Sequence, residues 1–411
     1  MTRSFSATLW LAVAVAWSTT VAAVSLPDCQ TTAPEQATLD HVRTVLINVS
    51  DHLFGLVYAT KERAAFVALN TALGVLYTST FSPSLIRRVA LPEAYLSPPG
   101  GTGIALTHDG RRVLVTAFGT GIVVVNVARA ITGHSNAVVG AIIGSTTAGT
   151  TAIEVILSSD DECAFISQED GTPQTGLNGT IEVFHLNKPT AHGSVSDEHV
   201  GSLELMSRFV VGSALSRDGR TLYATSEVRS NTDLRHGMLS VIDVNALRIN
   251  PSQALITQTN AGCEPVRIIV SSNEKIVWVT ARNSNHLLAF DAGKLATHPN
   301  GASLASVQVG TSPVGLTFAR HESLILTANS NRFQLANTTS SLSVVDVRAA
   351  LQGKLAVVGE IPTGMLPRGF ARSPDGKTIL VSDYGSLEVQ AIDVSTLPAR
   401  GGRHGASAWG F

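Results

Sequence analysis

One β-sheet unit recurs seven times along this chain, and no other feature limits its fold as strongly. The clearest copy is Ser373-Pro-Asp-Gly-Lys-Thr-Ile-Leu-Val-Ser-Asp383, followed by Leu387-Glu-Val-Gln-Ala-Ile-Asp-Val394. A second is Ser216-Arg-Asp-Gly-Arg-Thr-Leu-Tyr-Ala-Thr-Ser226, followed by Leu239-Ser-Val-Ile-Asp-Val244. Both of these copies hold a strand, an Asp-Gly hairpin, a second strand, a loop and a third strand. Glycine suits the hairpin because it takes φ > 0 without steric cost. The turns fall near Glu62, Asp109, Asp160, Asp218, Asn273, His321 and Asp375, roughly 50 residues apart. A sheet unit repeated at that period is a propeller blade. The expected fold is therefore an all-β, seven-bladed propeller with four-stranded blades.

The third strands end at Asn126, His185, Asp243, Asp291, Asp346 and Asp393, residue types that cap a short turn. The first copy is the weakest, and residues 75–80 read as its third strand. Residues 355–362 read as a fourth strand, but the last copy has none after Val394. Residues 42–49 have the same form and precede the first copy. They are expected to complete the last blade, leaving no open edge. A closed propeller of this kind is expected to be a monomer.

The repeats also carry a resemblance. Pro313-Val-Gly-Leu, Pro367-Arg-Gly-Phe, Ser373-Pro-Asp-Gly-Lys, Leu222-Tyr-Ala-Thr and Leu342-Ser-Val-Val-Asp make residues 42–395 similar to the YVTN-type β-propellers, relatives of the WD40-like and lactonase-like seven-bladed families. The Gly-His…Trp-Asp pattern of a true WD40 repeat is missing. The resemblance implies the fold and, through its lactonase-like relatives, a small-molecule hydrolase. These motifs build strands and turns, so they do not name an activity.

Composition fits two-sided strands. Charged residues are 15% of the chain, against roughly a quarter in ordinary domains. The net charge is −2 with no basic run, which excludes a nucleic-acid surface. Residues 1–23 read as a secretory leader: Arg3, an apolar run from Leu9 to Trp17, and small residues at Val21-Ala-Ala23. That run is too short to span a membrane, so a soluble secreted protein is expected. Residues 24–41 read as an N-terminal tail and 396–411 as a flexible C-terminal one. Three sequons begin at Asn48, Asn178 and Asn337. The last two are the expected glycan sites, because they lie in long loops. Of three cysteines, Cys163 reads as buried in a strand, while Cys29 and Cys263 lie in loops and are the candidate bridge.

In a propeller the loops after the second strands and those leading into the inner strands share one face. The first set gives Asn70, Phe118, Gln168, Glu169, Glu227, Arg282, Asn329, Asp383 and Tyr384. The second gives His52, Phe54, Arg208, Glu264, Arg267 and Arg368. We take Glu169, Glu227, Asp383 and Arg282 as candidate catalytic residues, and His52, Phe118, Asn329, Arg368 and Tyr384 as candidate ligand contacts. Carboxylates there suit general acid–base work. No cofactor motif is present, though calcium is an ion that such oxygens could hold. The plain alternative is that the acids pair with the arginines and only solvate the channel mouth.

Long loops at 169–179, 227–237 and 330–341 would wall part of the mouth, as binding loops do. Three function classes stay open: a lactonase-like hydrolase, a non-hydrolytic cyclase or isomerase acting on a metabolite, and a non-catalytic glycan- or protein-binding module. The first two take a small-molecule ligand.

Overall fold

The computed structural model describes residues 24–59, 61–93, 101–117, 121–143, 151–171, 175–186, 197–335 and 338–398. The proposed leader, Phe118, Asn337 and residues 399–411 lie outside them. Seven four-stranded antiparallel sheets are arranged as seven blades. Their inner strands are Leu53–Tyr58, Gly101–Leu106, Ala152–Leu157, Arg208–Leu215, Pro265–Val270, Pro313–Ala319 and Pro367–Arg372. Blades are numbered 1 to 7 in that order. Thr44–Asn48 pairs with Glu388–Asp393, Thr44 opposite Ile392 and Asn48 opposite Glu388. The N-terminal strand therefore completes blade 7 and joins both ends of the repeat in one sheet.

The repeated turn has the same physical cause in five of the seven copies. Asp218 Oδ1 accepts from Ser216 Oγ at 2.7 Å and from Arg220 N at 3.0 Å. Asp109, Asp160, Asn273 and Asp375 do the same with their own neighbours. Gly219 follows at φ 72°, a left-handed position that glycine takes without strain. The acids ending the third strands act as caps: Asp243, Asp291 and Asp346 each accept the backbone N–H three residues on.

Two boundaries differ from the sequence reading. The third strand of blade 1 is Ala72–Tyr77, three residues earlier than expected. Only Asn70 and Thr71 separate it from Ala64–Leu69, so the hairpin starts at once. The fourth strand of blade 6 is Val357–Pro362, and Leu355 stands 92% exposed.

The blades pack face to face through apolar layers. Trp278, Leu287, Phe318 and Ile325 fill the space between blades 5 and 6. Residues 24–39 are not a loose tail. They cross the rim as a strap, bridged to Cys263 through Cys29 with Cα atoms 5.5 Å apart. Gln308 Nε2 donates to the Thr32 carbonyl at 2.6 Å, and Leu39 N donates to the Glu360 carbonyl at 2.8 Å. Leu39 itself is buried in the layer between blades 6 and 7. At the other end Leu397 is buried in that same layer, so the packed body runs a little past residue 395. Cys163 is a buried free thiol.

All seven inner strands slip register near their first residues, each with an irregularity against the second strand. This bulge turns backbone toward the axis. Five blades place glycine at the matched third position: Gly55, Gly103, Gly212, Gly315 and Gly369. An added Cβ there would meet the next blade's carbonyl: 1.9 Å from Arg368 O for Gly315, 2.0 Å from Val266 O for Gly212. Space, not φ, demands glycine here. Gly315→Ala is expected to destabilise the protein by about 1–3 kcal/mol through overpacking. A lower urea midpoint would register it; an unchanged midpoint would mean the inner ring yields freely.

Candidate functional site

Around the axis these bulged strands line a funnel with a cavity of about 470 Å³. Apolar side chains make much of its wall, among them Ile104, Ile153, Val266 and Val314. Its charged residues are Glu154, Glu169, Glu227, Arg267, Arg282, Arg332 and Arg368. Glu169, Glu227, Arg282, Arg368 and Tyr384 of the expected ring therefore meet in one place.

Asn329 and Asp383 do not line it. Each ends its second strand, opposite the first residue of the inner strand: Pro313 for Asn329, Pro367 for Asp383. Side chains alternate along a strand. At that register point they turn between the blades, whereas Glu169, Glu227, Arg282 and Tyr384, each one residue further on in its blade, reach the funnel. Asn329 is fully buried and donates to Ser341 Oγ and Ser343 Oγ at 3.1 and 2.8 Å. Asp383 is also fully buried and accepts the Gly364 N–H at 3.2 Å. Burial pushes its pKa up to about 7, against the lowering effect of that bond. Neither residue faces a ligand in the funnel.

Arg282 is the centre of the acidic side. Its side chain is 6% exposed. Nη2 donates to Glu227 Oε2 at 2.8 Å and to Glu264 Oε2 at 2.8 Å, and Nε adds a bond to Glu264 at 3.0 Å. Burial lowers its pKa, and the Glu227 and Glu264 charges more than restore it, leaving it above its ordinary value. The expected pairing of acid with arginine is thus present here. Arg267 Nε lies 3.9 Å from Glu154 Oε1, while Glu154 Oε2 accepts the Ser213 N–H at 2.7 Å.

Glu169 is different. Its carboxylate makes no hydrogen bond or ion pair among the described residues. Burial raises its pKa first, and the Glu227 and Asp170 charges raise it further, against Arg332 and Arg282.

Arg368 is the cationic counterpart. Its guanidinium carbon lies 4.9 Å from the ring centres of both Phe54 and Tyr384, which are 4.8 Å from each other. No carboxylate pairs with it among the described residues, and its Nε is buried without a partner. Burial, then the like charge of Arg332, pulls its pKa down to about 10. His52 stacks on Tyr384 at 4.4 Å and fixes that ring from outside the cavity. Arg208 instead donates to Asn231 Oδ1 at 3.1 Å and lies outside the lining.

Two lining charges were not found in the sequence. Arg332 sits in the long blade 6 loop, whose length was the available signal. Glu154 holds the third inner position, where five blades have glycine, and aligning inner strands in register would have exposed it.

The described residues contain one cluster of three metal-type ligands, Cys29, His236 and Cys263, and two of those are the bridged cysteines. The funnel carboxylates do not converge on one point as a calcium site requires. Asn178 is half-buried, and its Nδ2 donates to Glu204 Oε1 at 2.6 Å, a bond that a glycan on that nitrogen would have to replace. No helix among the described residues is long and apolar enough to cross a membrane.

A scan against family models and a comparison with curated proteins find no match. Solved structures do match. Kuenenia stuttgartiensis hydrazine synthase aligns with a TM-score of 0.60 at 15% identity, over 84% of this chain and 96% of that one. A chain of a mitotic checkpoint complex gives 0.62 at 14%, over 94% and 99%. The Cps50 (Swd1) β-propeller domain of Myceliophteria thermophila gives 0.60 at 10%, over 85% and 99%. At such identities the likeness is one of fold alone.

Proposed function

We propose that this is a secreted propeller that binds a small organic molecule in the funnel and moves a proton on it with Glu169. The reaction class is non-hydrolytic: an isomerisation or cyclisation. One observation carries the reading. Among the glutamates at the mouth, Glu227 and Glu264 are held by Arg282 and Glu154 by Ser213, while Glu169 is left unpaired in the cavity wall. A carboxylate free of fixed partners, in a site that favours its protonated form, is what a general acid or base needs.

A concave cavity whose wall mixes apolar side chains with charged ones can seat a small metabolite and fix its orientation. A hydrolase of the lactonase-like kind would need converging ligands that the funnel carboxylates do not form. The leader-like N-terminus and the Cys29–Cys263 bridge support the secretory route.

Proton transfer is read by incubating candidate carbonyl compounds with the protein in D2O and following deuterium uptake by mass spectrometry. Glu169→Gln is expected to slow uptake by about 10²–10⁴-fold while leaving binding in place. Equal uptake by the variant would remove Glu169 from the chemistry.

A further inference from the structure

We infer that the ligand is an organic carboxylate, and that its carboxylate docks on Arg368. The inference rests on the funnel being the small-molecule site and adds the chemical class that fits it. Arg282 is taken by Glu227 and Glu264, and Arg267 faces Glu154. Arg332 and Arg368 remain, with Glu169 as the single free acid. Counted with Glu264, the four arginines and four glutamates balance, so the surplus is local: the Arg282 cluster keeps one extra negative charge, and the Arg332 and Arg368 side keeps one extra positive charge, two when Glu169 carries a proton.

Arg368 is the better anchor of the two. Arg332 is exposed on its loop, whereas Arg368 is set into the wall between blades 7 and 1. Arg368 is partly buried, with its Nε shut off from solvent and unpartnered, which is costly, and the rings of Phe54 and Tyr384 offset only part of that through their π-faces. The guanidinium fork keeps donors unused, Nε among them. A carboxylate matches such a fork with two parallel charge-assisted bonds. Beside it, Phe54 and Tyr384 offer ring faces, and Val266, Val314 and Ile104 continue the apolar wall. The molecule that fits is a monocarboxylate with a flat or alicyclic body. In the bound state its charged end sits under blades 7 and 1, and its body extends toward Glu169 in blade 3.

Matched probes test this by titration calorimetry: 2-naphthoate, 2-naphthamide and 2-naphthyl phosphate, with cyclohexanecarboxylate and its amide as the alicyclic pair. At least one carboxylate is expected to bind tenfold or more tighter than its amide. Arg368→Gln is expected to erase that preference while leaving the amide's affinity unchanged. Arg368→Lys should keep part of it, since the charge remains and the fork is lost. Thermal stability of Arg368→Gln should equal or exceed that of the parent, because an unpaired, partly buried charge is removed. That separates a binding role from a structural one.

Amides bound as tightly as acids, or a preference that survives Arg368→Gln, would overturn the carboxylate assignment and leave the funnel reading standing. Preference for the phosphate would overturn it in favour of a dianion. If no probe binds and Val266→Trp, which fills the cavity, leaves deuterium uptake unchanged, the funnel reading itself falls.

Discussion

Arg282→Ala is expected to destabilise the propeller by about 3–5 kcal/mol, the usual loss when one partner of a buried ion pair is removed. Arg282 is only 6% exposed, and the Glu227 and Glu264 side chains it joins are 12% and 19% exposed. Removing it strands two acids near Glu169 without the side chain that pairs them. The effect should come from that stranded charge and not from lost volume. Two companion variants separate the causes. Arg282→Lys keeps the charge but cannot donate from Nε and Nη2 at once, so it should recover only part of the loss. Arg282→Met combined with Glu227→Gln and Glu264→Gln removes all three charges and should recover most of it. Urea unfolding midpoints give the comparison. A triple variant as unstable as Arg282→Ala would move the explanation to packing.

Opening the Cys29–Cys263 bridge is expected to cost about 2–4 kcal/mol. The bridge joins residues 234 apart in sequence, so it closes most of blades 1 to 4 into a loop and restricts the unfolded chain strongly. It also holds the strap against blade 5. Gln30 N donates to the Asn283 carbonyl, and the Thr31 hydroxyl donates to the Ser284 carbonyl. Those carbonyls belong to the turn that begins with Arg282, so a loosened strap should also loosen the ion-pair cluster. Cys29→Ser with Cys263→Ser should lower the thermal midpoint by several degrees. Iodoacetamide labelling of the denatured, unreduced parent should find one thiol, at Cys163. Three labelled thiols, or a midpoint unmoved by the double substitution, would refute the role given to the bridge.

The fold was legible because its determinants are local and repeated. An Asp-Gly turn, Thr-Leu-Tyr-Ala-Thr and Ile-Asp-Val each set their own backbone, and seven copies reinforce one answer. Closure was legible because Leu387–Val394 lacked an outer partner and residues 42–49 lacked an inner one. The site was legible only in part. Position after a second strand brings a residue to the right face, but a shift of one residue decides between funnel and inter-blade layer. That is why Glu169, Glu227 and Tyr384 reach the cavity while Asn329 and Asp383 do not. Glu154 was hidden for a different reason: its meaning lies in replacing a glycine, which is visible only when the inner strands are aligned to their bulges. Arg332 was hidden because a long loop announces itself but not which of its residues turns inward.

The glycine ring has a consequence for stereochemistry. A strict sevenfold rosette would offer a small molecule seven interchangeable seats and no preferred azimuth. Five glycines keep most of the rosette bare. The two exceptions, Glu154 and Arg267, face each other across blade 4 and mark one sector. The cation with its two rings marks another, at the seam between the last blade and the first. Glu169, in blade 3 like Glu154, adds a free acid to the first sector. Two dissimilar posts around one axis remove every rotation that would map the socket onto itself. A guest seated there has one azimuth, and its mirror image has no equivalent seat.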